Sequence, residues 1–334
     1  MNRPSFTVHA AAPARLDFAG GWTDVPPFSA VEGGVVVNAA ISLQAHASLT
    51  LGGTGVHLRS EDLGLTRDVS GPAELAGRGP LALLEAALRM LPVHPCTLVT
   101  RSDAPPGSGL GSSGAMDVAL VAALVRAREE SLEPEEIAEQ AWRLEAVEAG
   151  LPGGKQDQFA AALGGFHRFT FRDPEVGVER LVLDAEFVEE LERRTVLCYT
   201  GSSRISGDTI ARVMAGYQRR DPGITGALQG MRDVADEMAE ALRNADLPGV
   251  GRLLSRNWGL QQALDAGMRT PEMQKIEMAV AQVGMFGGKA AGAGAGGSMF
   301  FVARGDPGEV VEAATAAGAR VLPMTFSSEG VRTW

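Results

Sequence analysis

The order of elements predicts an α+β protein built in two parts. The first half mixes strand-like and helix-like segments. The second half opens with helices and closes on a strand–helix–strand unit. The 334 residues suit two ordinary domains, and 45% apolar residues supply a sizeable core.

Along the chain, residues 7–9 and 15–18 read as strands. Residues 34–43 read as a buried strand and 45–51 as a second one. Residues 73–91 read as a helix with Leu and Ala on one face, and 97–101 as a short strand. Residues 112–129 are an Ala/Val/Leu-rich helix. Residues 133–150 are another, opened by Pro134 and closed by Gly150. A short helix over 156–163 and a strand near 166–171 follow. The division between the two parts falls between 171 and 194, placed at 185/186. Beyond it come a strand at 196–200 and a helical stretch over 206–243, broken near Pro222-Gly223. Helices at 250–266 and 271–283 are next. Strands at 298–303 and 320–324 flank a helix at 307–317.

Composition excludes several classes. A net charge of −11 argues against a general nucleic-acid binder, though a local loop can still hold phosphate. Cys96 and Cys198 are too few for a disulfide framework or a cysteine zinc site, so a reduced, cytoplasmic protein is expected. No apolar run is long enough for a bilayer, and the first 21 residues hold no signal-peptide core. The five histidines show no metal-ligand spacing, and no GxSxG elbow accompanies them. Arginine carries nearly all positive charge. The lysines are Lys155, Lys275 and Lys289, which makes each worth attention.

Two glycine-rich segments dominate. The first, residues 105–114 (PPGSGLGSSG), follows a strand and opens a helix. Glycines let successive N–H groups converge, and the helix start adds its own unpaired N–H groups. Serine hydroxyls suit a phosphate oxygen or a metal. A helix-capping loop is the plainer reading, but a cap needs fewer glycines and serines. The GxGxxG at Gly109, Gly111 and Gly114 matches a dinucleotide fingerprint only literally, since no second strand carries the expected acid. The Gly-Lys-Ser/Thr ending of a Walker loop is absent too. The second segment, residues 287–297 (GGKAAGAGAGG), reads as preceded by a helix and followed by a strand. That order is the reverse of a dinucleotide loop. Close backbone approach to a ligand or loop, or a flexible turn, remain as readings.

Polar candidates cluster around these segments. Arg15 and Asp17 share an early strand. Asp24 lies on a turn after Gly20-Gly21, placed to accept sugar hydroxyls or to form an Asx-turn. Glu145 and Glu148 lie on one helix. Lys155, Gln156, Asp157 and Gln158 crowd together beside Gly153-Gly154, and an aspartate there can orient a hydroxyl or take its proton.

Taken together, three segments in order resemble the motifs of the GHMP small-molecule kinases. These are residues 12–24 (APARLDFAGGWTD), 106–114 (PGSGLGSSG) and 288–301 (GKAAGAGAGGSMFF), so the resemblance spans essentially the whole chain. Residues 20–28 (GGWTDVPPF), 153–169 (GGKQDQFAAALGGFHRF) and 325–334 (TFSSEGVRTW) resemble the sugar 1-kinase branch. Within it, bacterial D-glycero-D-manno-heptose 7-phosphate kinases are most similar, and fucokinases are near neighbours.

The resemblance implies a first domain like the ribosomal S5 second domain, residues 1–185, carrying ATP and the catalytic aspartate. It implies a ferredoxin-like second domain, residues 186–334. ATP and Mg²⁺ are the implied cofactors. Pro106, Gly107, Ser108, Gly109, Leu110, Gly111, Ser112 and Ser113 would wrap the phosphates. Ser113 and Glu145 would hold the metal, Asp157 would be the base, and Arg15 would neutralise charge beside it. Asp24, with Thr23 and Gly21, would bind the sugar. Gly294 and Gly296 would close over it. The third motif carries Ala293 and Ala295 where glycine is common, and alanine restricts positive φ.

A sugar already carrying a phosphate needs a second cationic clamp, for which Arg204 and Lys155 are the candidates. The expected reaction is phosphorylation of the anomeric hydroxyl of heptose 7-phosphate. The alternatives are a kinase for a free sugar such as fucose, or a non-catalytic sugar-binding relative. No nucleic-acid or membrane partner is expected, and the protein reads as a monomer or homodimer.

Overall fold

A computed structural model describes residues 6–76, 79–151, 153–203 and 207–334. The first sheet hangs on two long antiparallel strands, β1 (Phe6–Ala19) and β2 (Gly34–Leu51), with the short helix α1 (Phe28–Val31) between them. Each long strand was expected as two pieces. It runs through as one because the pairing survives two register shifts, between Pro13 and Arg15 and between Asp17 and Ala19. Such irregularities re-aim side chains, and here they flank Arg15 and Asp17.

β3 (Val56–Ser60) and β4 (Leu65–Val69) form a hairpin absent from the sequence reading. The helix expected over 73–91 is shorter. A 3₁₀ turn at Pro72–Glu74 stands apart, and α2 (Ala82–Met90) starts after Gly79-Pro80, which favours neither helix nor continuity. β5 (Cys96–Ser102) inserts between β2 and β3. Next come α3 (Ser112–Ala127), α4 (Pro134–Arg143) and α5 (Gln156–Leu163). α4 runs into a π-helical turn, Leu144–Glu148. The hairpin β6 (Phe166–Arg172) and β7 (Glu175–Arg180) follows, β6 pairing with the start of β2.

The rest of the chain builds a second sheet. α6 (Ala185–Arg194), another element missed in the sequence, leads into β8 (Thr195–Ser203). The helices α7 (Gly207–Gln218), α8 (Pro222–Arg243), α9 (Leu247–Gln262) and α10 (Pro271–Val283) come next. They are followed by β9 (Met285–Ala290), β10 (Gly296–Ala303), α11 (Pro307–Ala316) and β11 (Arg320–Val321). The strand order is β11-β8-β10-β9. The expectation that a helix leads directly into the second glycine run is corrected: the run opens inside β9 and ends inside β10, and residues 291–295 between them form the hairpin loop. β12 (Arg332–Thr333) pairs with β1, and Phe326 bridges Ile41, so the last residues cross back to the first sheet.

Four apolar groupings hold the described residues, among them one that packs Trp22, Val25 and Phe28 against Val213 of α7 and Leu228 and Met231 of α8. Of the others, one lies between the first sheet and α2 to α5, with α3 buried from Gly114 to Val125 on every side, as a sequence apolar at every position but Asp117 favours. A second joins both sheets: Leu16, Phe18 and Val37 meet Val234 and Met238 of α8, Leu254 of α9 and Phe300 of β10. A third packs α10 and α11 on the second sheet. Cys96 and Cys198 are free and buried. No helix of the described residues is long and apolar enough to cross a membrane.

Candidate active site

The phosphate loop enters α3 through three left-handed glycines, Gly107 (φ 68°), Gly109 (φ 71°) and Gly111 (φ 71°). Gly111 is the N-cap and carries no side-chain cap, so the first N–H groups of α3 stay available for an anion. Ser108 is buried, its hydroxyl 3.2 Å from that of Ser112. Leu110 faces the core between the two sheets, and its carbonyl accepts from the Arg15 N–H. The Pro106 carbonyl accepts from the Tyr199 hydroxyl at 3.4 Å.

Against this loop lies the hairpin loop between β9 and β10. A Cβ on Gly292 would stand 2.2 Å from the Gly109 carbonyl oxygen, so only glycine permits this approach. Arg15 ties the two loops together. Its Nη1 donates to the carbonyls of Gly109 at 2.9 Å and Ala291 at 3.1 Å. Its Nε donates to Asp157 Oδ1 at 2.8 Å. Asp157 stands in the first turn of α5, and α3 passes close enough that Gly114 has no room for a side chain.

The π-helical turn settles which glutamate points inward. It places Glu145, and not Glu148, beside Ser113, whose hydroxyl donates to Glu145 Oε1 at 2.7 Å. Such turns recur at functional sites. Gln158 Nε2 donates to the other oxygen, also at 2.7 Å. Burial pushes the Glu145 pKa up from its ordinary value. A hydroxyl and a carboxylate are hard oxygen donors, and Mg²⁺ at phosphates needs only one or two such protein ligands. Ser113 and Glu145 therefore fit that ion. Among the described residues no group of three or more His, Cys, Asp or Glu is placed to hold a metal alone.

Between these groups opens a cavity of about 200 Å³. Arg15, Asp17, Asp24, Glu145, Gln156 and Asp157 line its polar side; Trp22, Val25, Ile210 and Ala293 line an apolar side. Gly21 is on the wall. Asp24 accepts from the backbone N–H and side-chain Nε2 of Gln156, both at 3.2 Å. Burial, followed by the neighbouring Asp157 charge, raises its pKa from 3.8 to about 7.

Other expected contacts do not reach the cavity. Thr23 is fully buried; its hydroxyl donates to the carbonyls of Gly20 and Val35 and holds the turn that carries Asp24. Lys155, expected as a substrate clamp, does not line this cavity. Its ammonium donates to both Glu139 oxygens and to the Pro174 carbonyl, and lies 4.6 Å over the Trp142 ring. Gly294 packs near Met268 and Gln261, and Gly296 starts β10 opposite Ser203, so neither lines the wall. Ala295 does adopt positive φ, 54°, its N–H held by the Met268 carbonyl at 2.7 Å. Arg204 lies outside the described residues.

Sequence reading missed the roles of Trp22, Gln156 and Lys289. The Trp22 indole donates to the Ala293 carbonyl at 3.2 Å, latching the first motif to the hairpin loop. Lys289 is fully buried and donates to the Asp17 carbonyl and carboxylate, at 2.6 and 2.9 Å. Its scarcity in an arginine-rich chain was the available signal.

Comparison with known proteins agrees with this geometry. Residues 79–165 match the model of the GHMP kinases N-terminal domain, and residues 238–320 that of the GHMP kinases C-terminal domain. The chain is 31% identical to D-glycero-alpha-D-manno-heptose 7-phosphate kinase of Campylobacter jejuni, over 98% of this chain and 99% of that protein. It is 28% identical to the bifunctional fucokinase/GDP-fucose pyrophosphorylase of Arabidopsis thaliana, over 87% of this chain and 29% of that protein. The crystal structure of a D-glycero-D-manno-heptose 1-phosphate kinase from Bacteriodes thetaiotaomicron superposes with a TM-score of 0.81 at 27% identity, covering 98% of both chains. The phosphate loop, the hairpin loop and the two family matches together show that the chain belongs to the GHMP kinases and is an ATP-dependent kinase.

Proposed function

We propose that this kinase transfers the γ-phosphoryl group of ATP to the anomeric hydroxyl of D-glycero-D-manno-heptose 7-phosphate, giving the 1,7-bisphosphate and ADP. The observation that supports this most is the Arg15–Asp157 pair, at the cavity wall and between two glycine loops. Full-length similarity to a heptose 7-phosphate kinase supports the choice of sugar.

Asp157 Oδ1 is fixed by Arg15, which leaves Oδ2 to take the proton of the attacking hydroxyl. The hydroxyl oxygen bonds to the γ-phosphorus as the bond to the β–γ bridging oxygen breaks, and ADP leaves. Arg15 and the first N–H groups of α3 supply positive charge for the phosphoryl oxygens. Mg²⁺, when bound at Ser113 and Glu145, would neutralise charge on the phosphates. Asp24 and Gln156 orient the sugar ring, and Trp22 offers its apolar C–H face a wall. Soluble expression without a membrane partner and a reducing compartment are part of this reading.

A free deoxysugar such as fucose is the second reading. Arg15 is the sole cationic side chain among the described cavity residues, and the Trp22–Val25–Ile210–Ala293 wall suits a methyl group. ADP release with Mg-ATP over heptose 7-phosphate, mannose, fucose and galactose separates the two. Turnover confined to heptose 7-phosphate is the expected result; turnover with fucose alone overturns it.

A further inference from the structure

Asp117 has no part in the reaction described above, yet it is the most exceptional polar group near the site. It lies one turn beyond Ser113 on α3, so the two side chains share a helix face. It is fully buried in a helix whose other buried residues are Gly, Ala, Val, Leu and Met. A carboxyl in such surroundings is costly unless something uses it. Among the described residues neither of its oxygens meets a partner at hydrogen-bonding geometry. Gln158 is equally buried, and its Oε1 is also without a partner, while its Nε2 is committed to Glu145. Burial and then the Glu145 charge raise the Asp117 pKa well above its ordinary value, and the neighbouring Gln158 side chain pulls the other way.

The geometry points to Asp117 as a positioning residue: by holding the Gln158 amide it fixes Glu145 against Ser113, in the orientation that serves the metal. This rests on the assignment of Ser113 and Glu145 to Mg²⁺ made above. The role does not depend on protonation. An ionised Asp117 can accept the second Gln158 N–H, and a neutral one can donate to Oε1. Either contact, made by a small side-chain adjustment, would restrain the amide so that Glu145 Oε2 keeps its donor. Without Asp117 the amide is free to turn, and Glu145 loses one of the two bonds that aim it.

The test is Mn²⁺ binding, read by electron paramagnetic resonance with a non-hydrolysable ATP analogue, beside melting temperatures without metal. Asp117→Ala and Gln158→Met should each weaken Mn²⁺ binding about 10-fold or more, as loss of an outer partner of a metal ligand does. The double variant should be no weaker than either single one, because both break one relay. Asp117→Asn, which keeps the shape and a donor, should stay within about 3-fold of the parent by the same scale. Additive losses, or unchanged Mn²⁺ affinity in Gln158→Met, overturn the proposal, and the latter holds even if Asp117→Ala does not fold. A fall in melting temperature with unchanged Mn²⁺ affinity leaves Asp117 merely structural and also overturns it. Glu145→Gln is the control. If it binds Mn²⁺ like the parent, the metal assignment itself fails; if it loses Mn²⁺ while Asp117→Ala does not, the relay alone fails.

Discussion

Replacing Asp24 by Asn should stabilise the protein at alkaline pH while weakening its hold on the sugar. Asp24 is buried and its pKa rises from 3.8 to about 7 in the folded chain. The folded state therefore binds this proton more tightly than the unfolded one. Stability from this group is greatest below pH 3.8, falls as pH climbs to about 7, and is flat beyond. At about 1.4 kcal/mol per pH unit the span is worth roughly 4 kcal/mol. Asn carries no charge to desolvate, but its amide cannot accept from both Gln156 donors, which costs about 1 kcal/mol.

The net gain at pH 8 is then roughly 3 kcal/mol at most, or several degrees in Tm. At pH 4 the gain vanishes and the lost hydrogen bond remains. Thermal melts of both proteins at pH 4, 6 and 8, with KM for the sugar measured at pH 8, check this. The Tm difference should grow with pH, and KM should rise. An equal Tm difference at pH 4 and pH 8 refutes the desolvation argument.

Three further outcomes follow from the site. Asp157→Asn should lower kcat about 10³-fold, within the range for a lost base, while ATP binding by calorimetry stays near the parent value. Gly292→Ala should raise KM for ATP and cut kcat about 10-fold or more in steady-state assays, because the added methyl meets the Gly109 carbonyl and parts the two loops. Lys155→Ala should leave KM for the sugar within about twofold but lower Tm, since its bonds go to Glu139 and Pro174 and are worth about 2 kcal/mol.

What the sequence disclosed follows from where the signal was local. Residues 156–163 are helical with the bounds read, because Gly164 ends an apolar run at once. The phosphate loop announced itself through glycines that must take positive φ and a helix that starts on serine. β9 stayed hidden because Gly287, Gly288 and Lys289 read as loop. They are strand residues that α9 overlies, and a Cβ on Gly287 would stand 1.7 Å from the Gly251 carbonyl. β3, β4 and β7 are short and half polar, so their alternation is weak. At the site, Arg15 and Asp157 were legible as motif residues. The 132-residue separation of Asp24 from Gln156 was not. Nor could helical periodicity choose Glu145 over Glu148, since a π-helical turn changes the spacing.

The apolar grouping that α8 makes with both sheets has a mechanical consequence. Moving one sheet off the other would wet Leu16, Phe18, Met238 and Phe300 together, a loss of many square ångströms at about 25 cal/mol each. A wide hinge motion between the two layers would have to meet that cost. Traffic of sugar and nucleotide then falls to the enzyme's loops, among which the Trp22–Ala293 latch bars one side of the cavity. Calorimetry should accordingly show one cooperative melting transition, and two separate ones would mean that this grouping does not couple the two layers.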